Sequence, residues 1–274
     1  MMSTIGSWPQ QRCRNILYYA HSMLNILLIL TSITLPILGI GYIWQHWHTL
    51  TFFDMGHNIL CTLLGCYVLA RLIVARSAKY YDMMRDYLFE FHLFYYKDQS
   101  EYNAKIYKVI HIISGMLTLY IEAQMALGII LFNLSPLYNN YKHGMFSDHP
   151  PANRTLEQAV YYYSPNNYPY SDMNGYWILF ICNIPVTCYV TCGVCAFDLV
   201  VSTIVLQILG HLQILKHNLL AVPLPMDAKS SGMYSVEENV QIQQFLKNNI
   251  MYHRFIVKFA EKCSNALSEY LFMF

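Results

Sequence analysis

The chain has 274 residues, of which 55% are hydrophobic and only 12% are charged, and its formal net charge is +1. A soluble domain carries about 25% charged residues, so this composition excludes an ordinary soluble protein and indicates a membrane protein. No basic block is interleaved with aromatic residues, which argues against a nucleic-acid partner.

Two apolar runs lie in the first third of the chain. The first extends from about Tyr18 to Ile43 behind Arg12 and Arg14. It is too long for the apolar core of a secretory signal, so we interpret it as a retained membrane span. The second extends from about Met55 to Ala75. A helical period then continues from Tyr80 to Tyr95, which predicts a helix prolonged beyond the membrane, and the polar stretch from Lys97 to Ala104 is expected to turn.

Three histidines near these two spans raise the question of a metal site. His46, His48 and His57 are grouped with no carboxylate or thiol, so the sequence favours membrane-interface anchoring. We predict no metal and no other cofactor.

The third apolar run extends from about Ile106 to Leu134, and Ser135-Pro136 is expected to close it. Glu122 within it is one of two acids at membrane depth. A loop rich in Tyr, Asn and Pro follows and contains a glycosylation sequon at Asn153.

The fourth apolar run, Gly175 to Leu220, is the longest. Between Trp177 and Leu215 it contains no Lys or Arg, and Asp198 is its only acid. As a helix it would be on the order of 70 Å long, whereas a bilayer core is about 30 Å thick. We therefore predict that its first half crosses the membrane and that its second half, from Ser202, continues as a stalk.

The remaining residues predict one more helix. Pro223 and Pro225 end the stalk, and Ser235 with Glu238 three residues later form a candidate capping box. The helix that follows becomes progressively apolar up to Phe274. We expect the chain to be a fragment that stops as it enters a fifth span.

The basic residues predict the orientation of the spans. All of the 17 Lys and Arg residues except Lys142 and Arg154 fall on one side of a four-span topology. The positive-inside rule places that side, with the N-terminus, in the cytosol. The Asn153 sequon then lies outside, where it can be glycosylated.

The predicted fold class is therefore all-α, a polytopic membrane helical bundle with helices extended into the cytosol. Its predicted parts are a cytosolic N-terminus (1–17), spans one to three (18–134) with a cytosolic helical linker (76–105), an extracellular loop (135–174), span four with its stalk (175–220), and an anchor helix with the start of span five (221–274). A rhodopsin-like receptor is excluded, because its N-terminus lies outside and the two outer loops here contain no cysteine.

An ordered set of motifs resembles the insect odorant receptors. The set comprises Trp8-Pro9, Tyr161 to Pro165, Phe197 to Val201, Gly210 to Leu215, Met251 to Ile256 and Phe259 to Lys262. Members of that family typically have seven spans, a pore lined by the seventh span and a cytosolic anchor through which subunits assemble. The resemblance covers essentially the whole chain.

The resemblance implies an odorant-binding subunit of a heteromeric ligand-gated cation channel in the cell membrane. Its partners would be a small volatile odorant, the lipid membrane and the odorant receptor co-receptor, in a heterotetramer. Two alternatives stay open: a gustatory-type chemoreceptor channel, and a membrane transporter or scaffold protein. An enzyme is not expected, because no Ser/His/Asp grouping or phosphate loop is present.

The resemblance also implies an odorant pocket between spans two, three, four and six. Helical spacing selects the candidate ligand-binding residues Tyr67, Met116, Tyr120, Gln124, Phe180, Ile184, Thr187 and Cys188. Packing within the bundle is the alternative reading for each of them. Gln124 and Thr187 are the most informative, because a buried amide or hydroxyl needs a partner.

Three further features have two readings each. Glu122 has either a ligand or ion role or a structural pairing with a neighbouring helix. Asp198 lies near the inner end of the fourth span and is expected to tie helices together at the cytosolic face. The cluster Tyr161 to Tyr163 either covers the pocket entrance or forms an interfacial aromatic belt.

Overall fold

The computed structural model describes residues 16–147, 149, 151, 155–165, 172–222, 225 and 234–271. Every element in this part of the chain is helical. The α-helices are α1 (Ile16–His46), α2 (Phe52–Ala75), α3 (Ala78–Asp86), α4 (Glu101–Lys142), α5 (Met173–Leu220) and α6 (Val236–Leu271). A π-helical turn (Tyr87–Phe91) and a 3₁₀ turn (Leu93–Tyr95) lie between α3 and α4. The all-α prediction is confirmed.

Among the described residues, four helices are long and apolar enough to cross a membrane: Ile26–His46 within α1, α2, α4 and α5. They correspond to the four apolar runs of the sequence. The prediction that Ser135-Pro136 closes the third run is wrong, because α4 continues through Pro136 to Lys142. The turns beyond the proline are anchored by Asn140, whose amide donates to the carbonyl oxygen of Glu157 at 2.8 Å. The Glu157 amide donates in return to the Asn140 side-chain oxygen at 2.9 Å, so these turns are held although Pro136 supplies no backbone donor.

The prediction that the second run continues as one helix past residue 75 is also wrong. The helix α2 ends at Ala75, and Ser77 adopts an extended backbone conformation with φ −68° and ψ 146°. Its hydroxyl accepts a hydrogen bond from the Tyr80 amide at 3.1 Å and so starts α3 as a separate helix. The helical period noted in the sequence reappears in α3, which buries Tyr80, Met83 and Met84.

The chain forms two compact units, and the first comprises residues Met1–Arg76 and Leu119–Leu199. Here α2 packs against both α1 and α5. A Cβ on Gly65 would come within 3.3 Å of Pro36, and one on Gly193 within 3.3 Å of Val68, so glycine lets the backbones approach closely at both contacts. Ser32 of α1 also forms a 2.7 Å hydrogen bond with the Tyr189 hydroxyl of α5.

The second unit comprises residues Ser77–Thr118 and Val200–Phe274. Its core contains Leu93, Ile110 and Ile214. Phe91 is fully buried, and its ring stacks on Phe259 of α6 with the centroids 3.8 Å apart.

A break in the helical backbone at His92 is bridged by α5. The Leu93 amide donates to Oε1 of Gln207 at 2.9 Å. One turn later on α5, His211 lies 2.6 Å from the Phe91 carbonyl oxygen through Nε2 and 2.6 Å from the Tyr252 hydroxyl through Nδ1. A carbonyl can only accept, so Nε2 carries the proton and Nδ1 accepts from Tyr252.

The predicted capping box at the start of α6 is confirmed. The Glu238 amide donates to the Ser235 hydroxyl at 3.2 Å, and the Ser235 amide donates to the Glu238 carboxylate at 2.7 Å. Further along α6, Lys262 forms an ion pair with Asp86 of α3.

Candidate functional site

A cavity of about 350 Å³ lies within the first unit. Its wall is formed by α1, α2, α4, α5 and the segment before α5. The lining residues are Leu35, Gly39, Cys61, Thr62, Leu64, Gly65, Ile121, Gln124, Met125, Gly128, Phe132, Val160, Tyr162, Val186, Thr187, Val190, Thr191 and Cys195. This volume is at the lower end of the range of ligand pockets, which is about 300–1,000 Å³.

The polar groups of the wall are few, and several are already oriented. The hydroxyls of Thr62 and Thr187 each donate to the carbonyl one turn earlier in their own helix at 2.8 Å. Their oxygens therefore remain available as acceptors. The Gln124 amide nitrogen donates to the Tyr120 hydroxyl at 2.7 Å. A mainly apolar wall with a few convergent polar groups suits a small apolar molecule that carries one polar function.

The segment 157–163 closes one side of the cavity. Val160 and Tyr162 line it, while the residues between and beside them hold the segment on the helices. The Tyr163 amide donates to the Leu38 carbonyl oxygen of α1 at 2.9 Å. The Tyr161 ring stacks on Tyr42 with the centroids 5.3 Å apart. Burial raises the pKa of Tyr161 to about 12, so its hydroxyl stays protonated. The hydroxyl oxygen accepts a hydrogen bond from the Gln158 amide at 3.1 Å.

The segment is also tied to α2 and α4. The His57 ring nitrogen Nε2 lies 2.8 Å from the Ala159 carbonyl oxygen. The Glu157 amide donates to the Asn140 side chain at 2.9 Å. The expectation that the tyrosine cluster covers a pocket therefore has a geometric basis, with Tyr162 in the wall and Tyr161 and Tyr163 as its supports.

A buried cation joins α2 to α5 beside the cavity. Arg71 has only 3% of its side chain exposed, and its guanidinium lies 2.6 Å from the Asp198 carboxylate. It also donates to the Tyr67 hydroxyl and to the Val194 carbonyl oxygen, next to the cavity residue Cys195. The guanidinium carbon lies 3.9 Å from the centre of the Tyr67 ring, within cation–π range. The prediction that Asp198 ties helices together is confirmed, and its position at the cytosolic face stays a prediction.

The structure brings two of the eight predicted ligand residues to the cavity, Gln124 and Thr187. Tyr120 accepts a hydrogen bond from the wall residue Gln124, and the Tyr67 ring lies under the Arg71 guanidinium. Six of the eight do not line the cavity: Tyr67, Met116, Tyr120, Phe180, Ile184 and Cys188. Ligand contact stays a prediction for all eight. The sequon residue Asn153 lies outside the described residues.

Several wall residues that the sequence analysis did not select lie at helical spacing, although spacing alone does not distinguish their stripe of α4 from the neighbouring ones. Ile121, Met125, Gly128 and Phe132 continue a stripe of α4 at intervals of three and four residues. Thr191 and Cys195 continue the stripe of Thr187 in the same way. Leu35, Gly39 and Val160 had no comparable signal, because their place in the wall depends on how α1 and the loop pack. In the loop, the signal was the tyrosine cluster that contains Tyr162.

Residues 95–273 match the sequence model of the family described as "7tm Odorant receptor". The chain belongs to this odorant receptor family. Its fold is similar to the solved structure of the insect olfactory receptor OR5 from Machilis hrabei, with a TM-score of 0.69. The two are 15% identical, and the similarity covers 98% of this chain and 64% of the OR5 chain. No curated protein matches this receptor chain in sequence.

Family membership and the four apolar helices identify a multi-pass membrane protein of the odorant receptor family. The likeness to OR5 concerns the fold alone at this level of identity. The chain spans 64% of the OR5 length.

Proposed function

We propose that this chain is the odorant-binding part of a heteromeric ligand-gated cation channel, and that the 350 Å³ cavity holds the odorant. The observation that carries the proposal is the cavity itself, a largely apolar space with the acceptors of Thr62, Thr187 and Gln124 in its wall. A ligand that binds one conformation more tightly than the other shifts the population toward it. Occupancy of the cavity would open the channel in this way.

The proposed setting is the cell membrane, with the N-terminus in the cytosol and the odorant receptor co-receptor as the partner subunit. The concentration of Lys and Arg on one side of the spans supports this orientation. Glycosidase treatment of wild type and of Asn153→Gln tests it. A glycan at Asn153 is expected, and a cytosolic Asn153 would overturn the topology.

Gly128 provides a direct test of the cavity. It lines the wall, and a Cβ added to it would meet no atom within 4 Å. A side chain at this position therefore grows into the cavity without a clash. One methylene in an apolar pocket changes discrimination by roughly 10- to 200-fold. We expect Gly128→Ala and Gly128→Leu to raise the half-effective concentration of odorants progressively, and most for the largest ones.

Gly115 is the matched control for this series. It lies on the same helix, a Cβ there also meets no atom within 4 Å, and it is not among the cavity residues. Receptor and co-receptor are expressed together, and odorant-evoked cation currents are recorded across a size-graded panel. Gly115→Leu should behave as wild type. Equal shifts in Gly115→Leu and Gly128→Leu would reject the cavity as the site, and no wild-type current across the panel would reject the channel function.

A further inference from the structure

Glu122, an acid in the middle of α4, has no hydrogen-bond or ion-pair partner among the described residues. Glu122 is the only charged residue between Lys108 and Lys142. At about 1.5 Å per residue it lies roughly 20 Å from Lys108 and roughly 30 Å from Lys142. The apolar run from Ile106 to Leu134 is roughly 43 Å long as a helix, whereas a bilayer core is about 30 Å thick. Glu122 therefore lies inside the core wherever the core is placed on this run.

The Glu122 side chain is nevertheless exposed, and no hydrogen bond or ion pair joins it to another described residue. It is not in the cavity either. The cavity face of α4 carries Ile121, Met125 and Gly128. Glu122 follows Ile121 by one position, so it points about 100° away around the helix axis. The ligand proposed above cannot be its partner.

The surface around Glu122 has the features of a helix contact. Leu119 and Ile130 are 69% and 53% exposed on the same side of α4. Ala123 and Ala126 beside the acid are small enough to let a second helix approach closely. None of the most apolar stretch of α4 is buried, whereas 33% of the corresponding stretches of α2 and α5 is.

An exposed acid at this depth cannot face lipid without a large cost. Intramembrane acids face a bundle interior or a water-filled space, and they pair with one another or with basic groups. A carboxylate forms its strongest hydrogen bonds with a cationic donor. The charge of Glu122 thus specifies the chemistry of what covers it.

We propose that the α4 face from Leu119 to Ile130 binds a transmembrane helix that carries a Lys or Arg side chain at the depth of Glu122. A second copy of the described helices does not supply this group. Within their apolar stretches the one cationic side chain is Arg71, and it is 3% exposed and paired with Asp198. The occupant is a helix of different sequence, and the proposal does not depend on the odorant cavity.

Three substitutions test the partner by the sign of their effect on thermal stability. The receptor is expressed with its co-receptor, solubilised and heated, and the remaining assembled fraction gives a midpoint. If a cation faces Glu122, both Glu122→Leu and Glu122→Gln leave it buried without a counter-charge. Each should lower the midpoint by roughly 6 °C or more. Glu122→Asp keeps the charge and should retain most of the stability.

Thr34→Leu is the matched control. Thr34 is an exposed polar residue of α1 at membrane depth, and its hydroxyl donates within its own helix to the Thr31 carbonyl oxygen. Its replacement should not lower the midpoint. An unchanged or raised midpoint in Glu122→Leu would show that the acid has no protein partner. A loss in Glu122→Leu without a loss in Glu122→Gln would show a neutral donor in place of a cation. Either result overturns the proposal.

Discussion

Removing Asp198 should destabilise the receptor more than removing Arg71, although the two form one ion pair. Asp198→Asn leaves Arg71, with 3% of its side chain exposed, without a counter-charge. Arg71→Met leaves Asp198, which is 56% exposed and which the sequence places at the cytosolic end of its span, where water can hydrate it. The methionine also keeps much of the apolar volume of the arginine stem.

The structure sets the size of the two effects. Breaking a fully buried pair costs about 3–5 kcal/mol. The exposure of Asp198 reduces the cost of Asp198→Asn to roughly 2–3 kcal/mol, because water already screens part of the attraction. Arg71→Met should cost about 1–2 kcal/mol, chiefly through lost hydrogen bonds to Tyr67 and Val194. At about 2 °C per kcal/mol for a chain of this size, the expected drops are roughly 4–6 °C and 2–4 °C.

The double variant Arg71→Met with Asp198→Asn makes the test decisive. It contains no buried charge, so it should be more stable than Asp198→Asn alone. Midpoints come from heating the solubilised protein and measuring the fraction that elutes as a single species. The exposed pair of Asp82 and Arg85, 3.5 Å apart, gives the control. Asp82→Asn should change the midpoint by less than about 2 °C. Additive losses in the double variant would refute the uncompensated-charge reasoning.

Three further outcomes are expected. His211→Ala removes the partners of the Phe91 carbonyl and the Tyr252 hydroxyl and should lower the thermal midpoint by roughly 4 °C or more, whereas Tyr252→Phe should lower it by about half as much; equal midpoints would contradict the bridging role. Gly65→Leu should reduce the yield of folded protein, because a Cβ already comes within 3.3 Å of Pro36, whereas Gly56→Leu, with no atom within 4 Å, should not. Burial raises the pKa of the Cys263 thiol to about 12, so the reactive thiolate is scarce at pH 8. Alkylation of Cys263, measured by mass spectrometry, should therefore be slow, should become about tenfold faster per pH unit and should be fast in denaturant. Rapid labelling of the folded protein would refute the burial.

The apolar runs predicted where the long helices lie because hydrophobic length is a property of the sequence alone. The run ending at Leu220 appears as α5, and the Ser235 and Glu238 pair forms the capping box it suggested. The second run was predicted to end at about Ala75, but the break between α2 and α3 was not predicted. The helical period continues past Ala75, whereas the start of α3 depends on one hydrogen bond from the Tyr80 amide to the Ser77 hydroxyl.

The face of α4 that lines the cavity could not be predicted for a different reason. Leucine, isoleucine and methionine surround this helix, so hydrophobicity does not indicate one direction. Of the predicted stripe through Met116, Tyr120 and Gln124, only Gln124 lines the cavity. The rest of the α4 wall is formed by Ile121, Met125, Gly128 and Phe132. Which stripe lines a cavity is decided by the packing of the other helices.

The bridged break at His92 has a consequence for the freedom of α5 within the second unit. Gln207 and His211 are one helical turn apart, and the two backbone groups they satisfy belong to Phe91 and Leu93. A slide of α5 by one residue would turn its side chains by about 100° and break both bonds together. The two hydrogen bonds therefore fix the position of this part of α5 along its axis relative to the backbone at His92. If this part of α5 moves, the backbone from Phe91 to Leu93 must move together with it as long as both hydrogen bonds remain.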